Sequence, residues 1–171
     1  LEPASRHFFY DLVINYSIPA RGCITCGLFN AYEKDTIFFG EGLSNSYTFG
    51  ESQKWINYIL DPLAVTQLEY LGMAERLHYC PFLEMTDRVF ASNKEKIIKK
   101  YNLDQIFAFT YSANDSLVST IERSFKTMYS EAQKSIDIND KIKLKYDNSF
   151  AWIDLQKKRW EKHRLEMGLK N

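Results

Sequence analysis

Residues 19–51 read PARGCITCGLFNAYEKDTIFFGEGLSNSYTFGE, and the glycines in this stretch decide how the chain folds. Arg21 to Phe29 has the apolar content of a strand and is punctuated by Gly22 and Gly27. Asn30 to Asp35 reads as a polar hinge, and Thr36 to Phe39 as a second short strand running into Gly40 and Gly42 and then into a helix. The expectation is an antiparallel pair, 21–29 with 36–39, feeding a glycine turn and a helix start. Glycine at 40 and 42 admits backbone conformations closed to other residues and lets another group approach the main chain. Amides left free in the first helical turn would suit a phosphate or a carboxylate. A tight turn inside a hairpin-and-helix scaffold is the competing reading, because G-x-G before a helix is common and the fuller G-x-G-x-x-G fingerprint is absent.

On the N-terminal side, Ser5 can cap a helix with Phe8, Phe9, Leu12, Val13 and Tyr16 on its apolar side, ended by Ser17 and Pro19. His7 sits at the edge of that face. Arg21 is either a solvated charge or a guanidinium for a phosphate or a carboxylate. Cys23 and Cys26 spell C-x-x-C, but in a strand, where positions three apart face opposite ways. Cys80 and the scattered His7, His78 and His163 complete no zinc spacing, so the two cysteines read as small structural residues.

On the C-terminal side, Leu43 to Trp55 has helical spacing, and Asn45 is either a local cap or a group reaching a ligand held by the glycine turn. Trp55 to Leu60 reads as a strand stopped by Asp61-Pro62. A helix is predicted over Val65 to Leu77, a strand over Phe82 to Met85, a lysine-rich helix over Ser92 to Tyr101 and an aromatic strand over Gln105 to Tyr111. From Ser116, Leu117, Ile121, Phe125 and Met128 recur as a core stripe. A linker over 136–140 precedes a last helix from Lys141 to about Met167. Its Lys157, Lys158, Arg159, Lys162, His163 and Arg164 form a basic run that the dipole of a helix C-terminus favours.

The 171 residues are the size of one domain, and 45% hydrophobic with 15% aromatic content is enough for a core. Lys plus Arg and Asp plus Glu are each 22, so the formal charge is zero and global electrostatics gives no reason to expect nucleic acid. No apolar run reaches the roughly 18 residues of a membrane helix. Three cysteines point to a reducing, cytoplasmic setting instead of a disulfide scaffold. The first residue is Leu1 and a helix follows almost at once, so the expectation is a chain that starts inside a longer parent.

ARGCITCG at 20–27, IFFGEGLSNSYTFGESQKWINYILDP at 37–62 and KYDNSFAWI at 145–153 together resemble the C-terminal part of a class III nucleotide cyclase-like domain. The pattern is most similar to the bacterial pyrimidine cyclases of the Pycsar antiphage system. The likeness extends over residues 1–171, with 20–62 its sharpest block. It implies an α/β fold with a mostly antiparallel sheet packed by helices, here lacking its N-terminal strands, and a homodimer with composite active sites. It also implies conversion of CTP or UTP to the 3',5'-cyclic nucleotide plus pyrophosphate as an antiviral signal, with two divalent cations, Mn or Mg, whose aspartate ligands would lie outside this chain. Such chemistry needs carboxylates for the ions and oriented donors for the developing charge.

Carried over residue by residue, Arg21 matches the arginine opening a family strand, Gly27 its closing glycine, and Gly40 the glycine before the helix with transition-state groups. Asn45 stands one place beyond the catalytic asparagine of better-known class III cyclases, and Thr48 near their arginine. Tyr47 fits the pyrimidine-type pattern. The resemblance thus implies Arg21 and Asn45 as catalytic and Gly40, Gly42 and Tyr47 as substrate-binding, with no metal ligand assigned. Two alternatives stay open. One is a catalytically inactive cyclase-like dimerisation or nucleotide-binding module. The other is a small nucleic-acid-binding domain using the basic helix with Lys94, Lys96, Lys99 and Lys100, whose binding would depend steeply on salt.

Overall fold

The computed structural model describes residues 7–32, 34, 37–72, 79–81, 83–90, 106–109, 115–135 and 139–168. The chain divides into two compact units, one of Arg21–Phe109 and one of Leu1–Ala20 with Thr110–Asn171.

The first unit is mixed α/β. Its strands are β1 (Gly22–Ile24), β2 (Asn30–Tyr32), β3 (Ile37–Phe39), β4 (Tyr58–Leu60), β5 (Tyr79–Pro81) and β6 (Phe107–Phe109). Its helices are α1 (Glu41–Ser52), α2 (Pro62–Tyr70) and the short α3 (Thr86–Val89), with a 3-10 turn at Leu83–Met85. A four-stranded sheet has the order β1-β4-β6-β5, and β2 and β3 form a separate two-stranded ribbon. β1 lies parallel to β4 with Cys23 opposite Ile59, whereas β4–β6 and β6–β5 are antiparallel. Parallel neighbours require a crossover, which α1 supplies between β1 and β4. All three residues of β4 are buried, as the apolar Tyr-Ile-Leu run of an inner strand requires. Phe49 of α1 meets Phe90 edge-on at 6.5 Å, and Trp55, Ile59, Ile106 and Ala108 are buried in the same unit.

Several sequence expectations change here. The sheet is small and partly parallel, and among the described residues 21–29 do not pair with 37–39. β1 stops at Ile24 because the next residues are used elsewhere: Thr25 turns to Asp61, and the backbone of 27–29 lies against the start of α1. The stretch expected to be a polar hinge instead supplies β2, with Asn30 opposite Phe39 and Tyr32 opposite Ile37. Residues 83–85 form the 3-10 turn where a strand was expected, and the strand lies earlier, ending at Pro81. A residue without a backbone donor suits that edge position. α2 starts three residues before the predicted Val65, since Asp61 caps it and Pro62 occupies the first turn. Gly72, at φ +65°, follows its end. The predicted helix over 92–101 lies outside the described residues.

The second unit is helical. Residues 7–10 are helical and pass into a π-helical turn at Asp11–Asn15, closed by the Tyr16 amide on the Asp11 carbonyl at 3.0 Å. α4 (Asp115–Ser135) and α5 (Asp140–Glu166) complete it. Val118, Ile121, Phe125 and Met128 are the buried stripe of α4, at the three- and four-residue spacing of one helix face. Tyr129 meets Tyr146 at 5.0 Å and Phe125 meets Phe150 at 6.4 Å, so later residues of α4 face earlier ones of α5 and the helices run antiparallel. The Asn139 side chain caps α5 by accepting from the Ile142 amide at 3.1 Å.

Candidate functional site

Gly40 and Gly42 lie at the start of α1, Asn45 and Tyr47 one turn further on, and Arg21 just before β1. In open α/β sheets, ligands bind beyond the carboxyl ends of parallel strands. Here those ends lead into Thr25-Cys26-Gly27 and Asp61-Pro62.

Gly40 has φ +145°, and a Cβ there would lie 2.1 Å from the Leu28 carbonyl oxygen. A Cβ on Gly27 would lie 2.9 Å from the Gly42 nitrogen. Gly42 donates its amide to the Leu28 carbonyl at 3.2 Å. Gly27 and Gly40 are therefore required because two stretches of backbone touch. This fills part of the space that an anion at the start of α1 would use: the Gly42 amide is already committed.

Arg21 is bound inside its own unit. Its Nη1 donates to the Gln53 carbonyl at 2.6 Å and its Nη2 pairs with Glu51 Oε1 at 2.9 Å. The guanidinium thereby satisfies a carbonyl at the C-terminal end of α1 and ties that end to the start of β1. Gln53 works beside it, donating from Nε2 to the Gly22 carbonyl at 2.8 Å and accepting from Trp55 Nε1 at 2.6 Å. On α1 itself Asn45 is buried, 2% exposed, while Tyr47 is 70% exposed. Two residues apart on a helix is about 200° of rotation, so the two candidates face opposite ways and do not line one pocket.

Asp61, fully buried, is the functional-looking residue that motif reading passed over. Its Oδ1 accepts from the Ala64 amide at 2.8 Å, its Oδ2 accepts from Thr25 Oγ1 at 2.5 Å, and its amide donates to the Ile24 carbonyl at 3.1 Å. The signal was present: Asp followed by Pro is a helix start as well as a strand stop. Burial, and second the Asp61 carboxylate, push the Cys23 thiol well above the ordinary thiol range, and the same two causes in the same order raise Cys26. Both are free thiols held in the protonated form, the opposite of the thiolate that redox and metal chemistry need.

Among the described residues no group of three or more His, Cys, Asp or Glu side chains is placed to hold a metal ion. The carboxylate of Asp61 is spent on a helix cap and a hydroxyl, and that of Asp11 accepts from Asn15 Nδ2 at 2.8 Å. The described residues do not fit a two-cation centre.

The basic run of α5 is partly committed. Lys157 pairs with Glu122, Arg159 lies 5.6 Å above the Trp152 ring, and Lys162 is 3.9 Å from Glu166. Lys94, Lys96, Lys99 and Lys100 lie outside the described residues. No described helix is long and apolar enough to cross a membrane. No family model, curated protein or solved structure matches this chain.

Proposed function

We propose that the chain is a nucleotide cyclase-like domain whose parent protein converts CTP or UTP to the 3',5'-cyclic nucleotide plus pyrophosphate in the cytoplasm, as an antiviral signal, and works as a homodimer. One observation carries the reading: the backbone contact of Gly27 with Gly42 and of Gly40 with Leu28, which gathers a strand end, a hairpin and a helix start at one corner. These glycines belong to the sharpest block of the resemblance. The reaction class is attack of the ribose 3'-oxygen on the α-phosphorus, with the new P–O bond formed as the bond to pyrophosphate breaks. Mn or Mg ions would belong to carboxylates outside this chain. Within the chain, Gly40 and Gly42 shape the corner, Tyr47 offers an exposed ring to a nucleotide base, and Arg21 and Asn45 hold α1 in place.

The inward placement of Arg21 and Asn45 also favours a second reading, a nucleotide-binding cyclase-like module without turnover. Full-length protein assayed separately with CTP and UTP, in Mn or Mg, distinguishes the two. Cyclic product and pyrophosphate in equal amounts support the enzyme; nucleotide binding without product supports the module. Tyr47→Ala is expected to weaken nucleotide binding while leaving the melting temperature unchanged, and unaltered binding would remove Tyr47 from the site.

A further inference from the structure

The formal charge of zero hides a local imbalance. Five of the chain's 22 Lys and Arg residues, against one of its 22 Asp and Glu residues, fall in the eight positions 157–164. That places an excess of four positive charges on about 12 Å of α5 and leaves the rest of the chain with an equal excess of negative ones. The same stretch is where α5 outruns α4. The Tyr129–Tyr146 and Phe125–Phe150 contacts fix the antiparallel alignment of the two helices, which sets Asp115, the first residue of α4, about level with Trp160. Residues 161–166 therefore run past the described start of α4. At 100° per residue, Lys157 and Arg164 share one side of this end, and Lys158 and Lys162 a second side roughly 130° round. Lys158 is exposed, and Lys162, with a side chain 79% exposed, stands 3.9 Å from Glu166 in a loose surface pair.

We propose that this end of α5 binds the phosphate backbone of duplex nucleic acid without reading its sequence. Three considerations select that occupant. A helix about 10–12 Å across with cations on two sides matches a major groove about 12 Å wide with a phosphate backbone along each wall. Single strands are held by bases stacking on open aromatic rings, whereas Trp160, the aromatic residue of this end, has its ring 5.8 Å from His163 and its indole nitrogen buried. An anionic bilayer takes up a helix with one apolar face, and here the exposed Leu165 and Met167 are two positions apart, about 160° from each other round the helix. The inference stands apart from the nucleotide reading, whose corner belongs to the other compact unit.

Fluorescence anisotropy of a labelled 20-base-pair DNA duplex, titrated with the full chain, tests it. At 50 mM NaCl a dissociation constant of about 1–100 µM is expected, with the logarithm of affinity falling against the logarithm of salt at a slope of about −3 to −4, as for four neutralised phosphates. Lys158→Gln with Lys162→Gln is expected to weaken binding at least about tenfold and to flatten the slope by about two, with the melting temperature kept. Lys134→Gln, which removes the same charge at the other end of α4, is the control and is expected to change neither. Absence of duplex binding up to about 200 µM protein overturns the proposal, whether or not the chain then binds phosphatidylserine vesicles. So does an affinity and slope unchanged in the double variant, or an equal loss in the Lys134 control. A poly(dT) strand of the same length bound more tightly than the duplex would contradict the groove geometry and overturn it as well.

Discussion

Gly40 shows how one residue holds this architecture in place. Its positive φ and the 2.1 Å approach that a Cβ would make to the Leu28 carbonyl leave no room for any other side chain. Gly40→Ala is expected to cost about 3 kcal/mol or more in denaturant unfolding, through strain plus backbone displacement. Gly50, with nothing near its missing Cβ, is the control: Gly50→Ala in the interior of α1 should stabilise by about 0.5–1 kcal/mol. Asp61 joins β1, β4 and α2 through one carboxylate. Removing it in Asp61→Ala should cost about 2–3 kcal/mol, with the α2 cap lost and the half-buried Thr25 hydroxyl left only its longer bond to the Cys26 carbonyl, against about 1 kcal/mol for Thr25→Val. The raised Cys23 thiol ties stability to pH. Above about pH 9 the unfolded thiol loses its proton while the folded one keeps it, so the unfolded state binds fewer protons and stability falls as pH rises. Denaturation midpoints measured from pH 7 to 10.5 should decline at the alkaline end, and Cys23→Ala should flatten that decline. An equal slope in the variant would contradict the burial of this thiol.

At the scale of the elements, helices were far easier to read than strands. The 121-125-128 spacing of α4 and the extent of α5 follow from periodicity, because each buries one side of a long helix and the pattern repeats several times. Strands of three residues carry no such redundancy. β1 could not be told from the residues after it, because Thr25 to Phe29 are as apolar as a strand yet are diverted by a hydroxyl–carboxylate bond and a backbone contact that depend on residues 36 and 14 positions away. The candidate site was legible to the same degree. The glycines were visible in the sequence and their crowding was not, while Arg21 was visible as a charge whose partners, Glu51 and Gln53, lie about thirty residues on. Between α4 and α5, Glu122 accepts from Lys126 at 2.6 Å and from Lys157, and these hydrogen bonds hold its carboxyl below the usual range. Its stabilising share is present at neutral pH and disappears as pH falls through that lowered value. A double-mutant cycle on Glu122→Ala and Lys157→Ala should give about 0.5–1 kcal/mol of coupling at pH 7 and near zero at pH 2.

The whole molecule is a mixed α/β unit and a helical unit, each with its own buried residues. Among its described residues the chain has no membrane-spanning helix and no group of side chains placed to hold a cation, while it exposes an aromatic ribbon and a glycine-built corner. Those features give the nucleotide proposal its physical content: a corner shaped by backbone and an exposed Tyr47. The most direct test is a phosphorus NMR time course of the full-length protein with CTP or UTP and Mg. Paramagnetic Mn would broaden the signals, so a parallel Mn reaction is read after chelation. The account predicts a cyclic phosphodiester signal growing in step with pyrophosphate for at least one of the two nucleotides. A folded, dimeric protein that leaves both triphosphates unchanged and binds neither would contradict it.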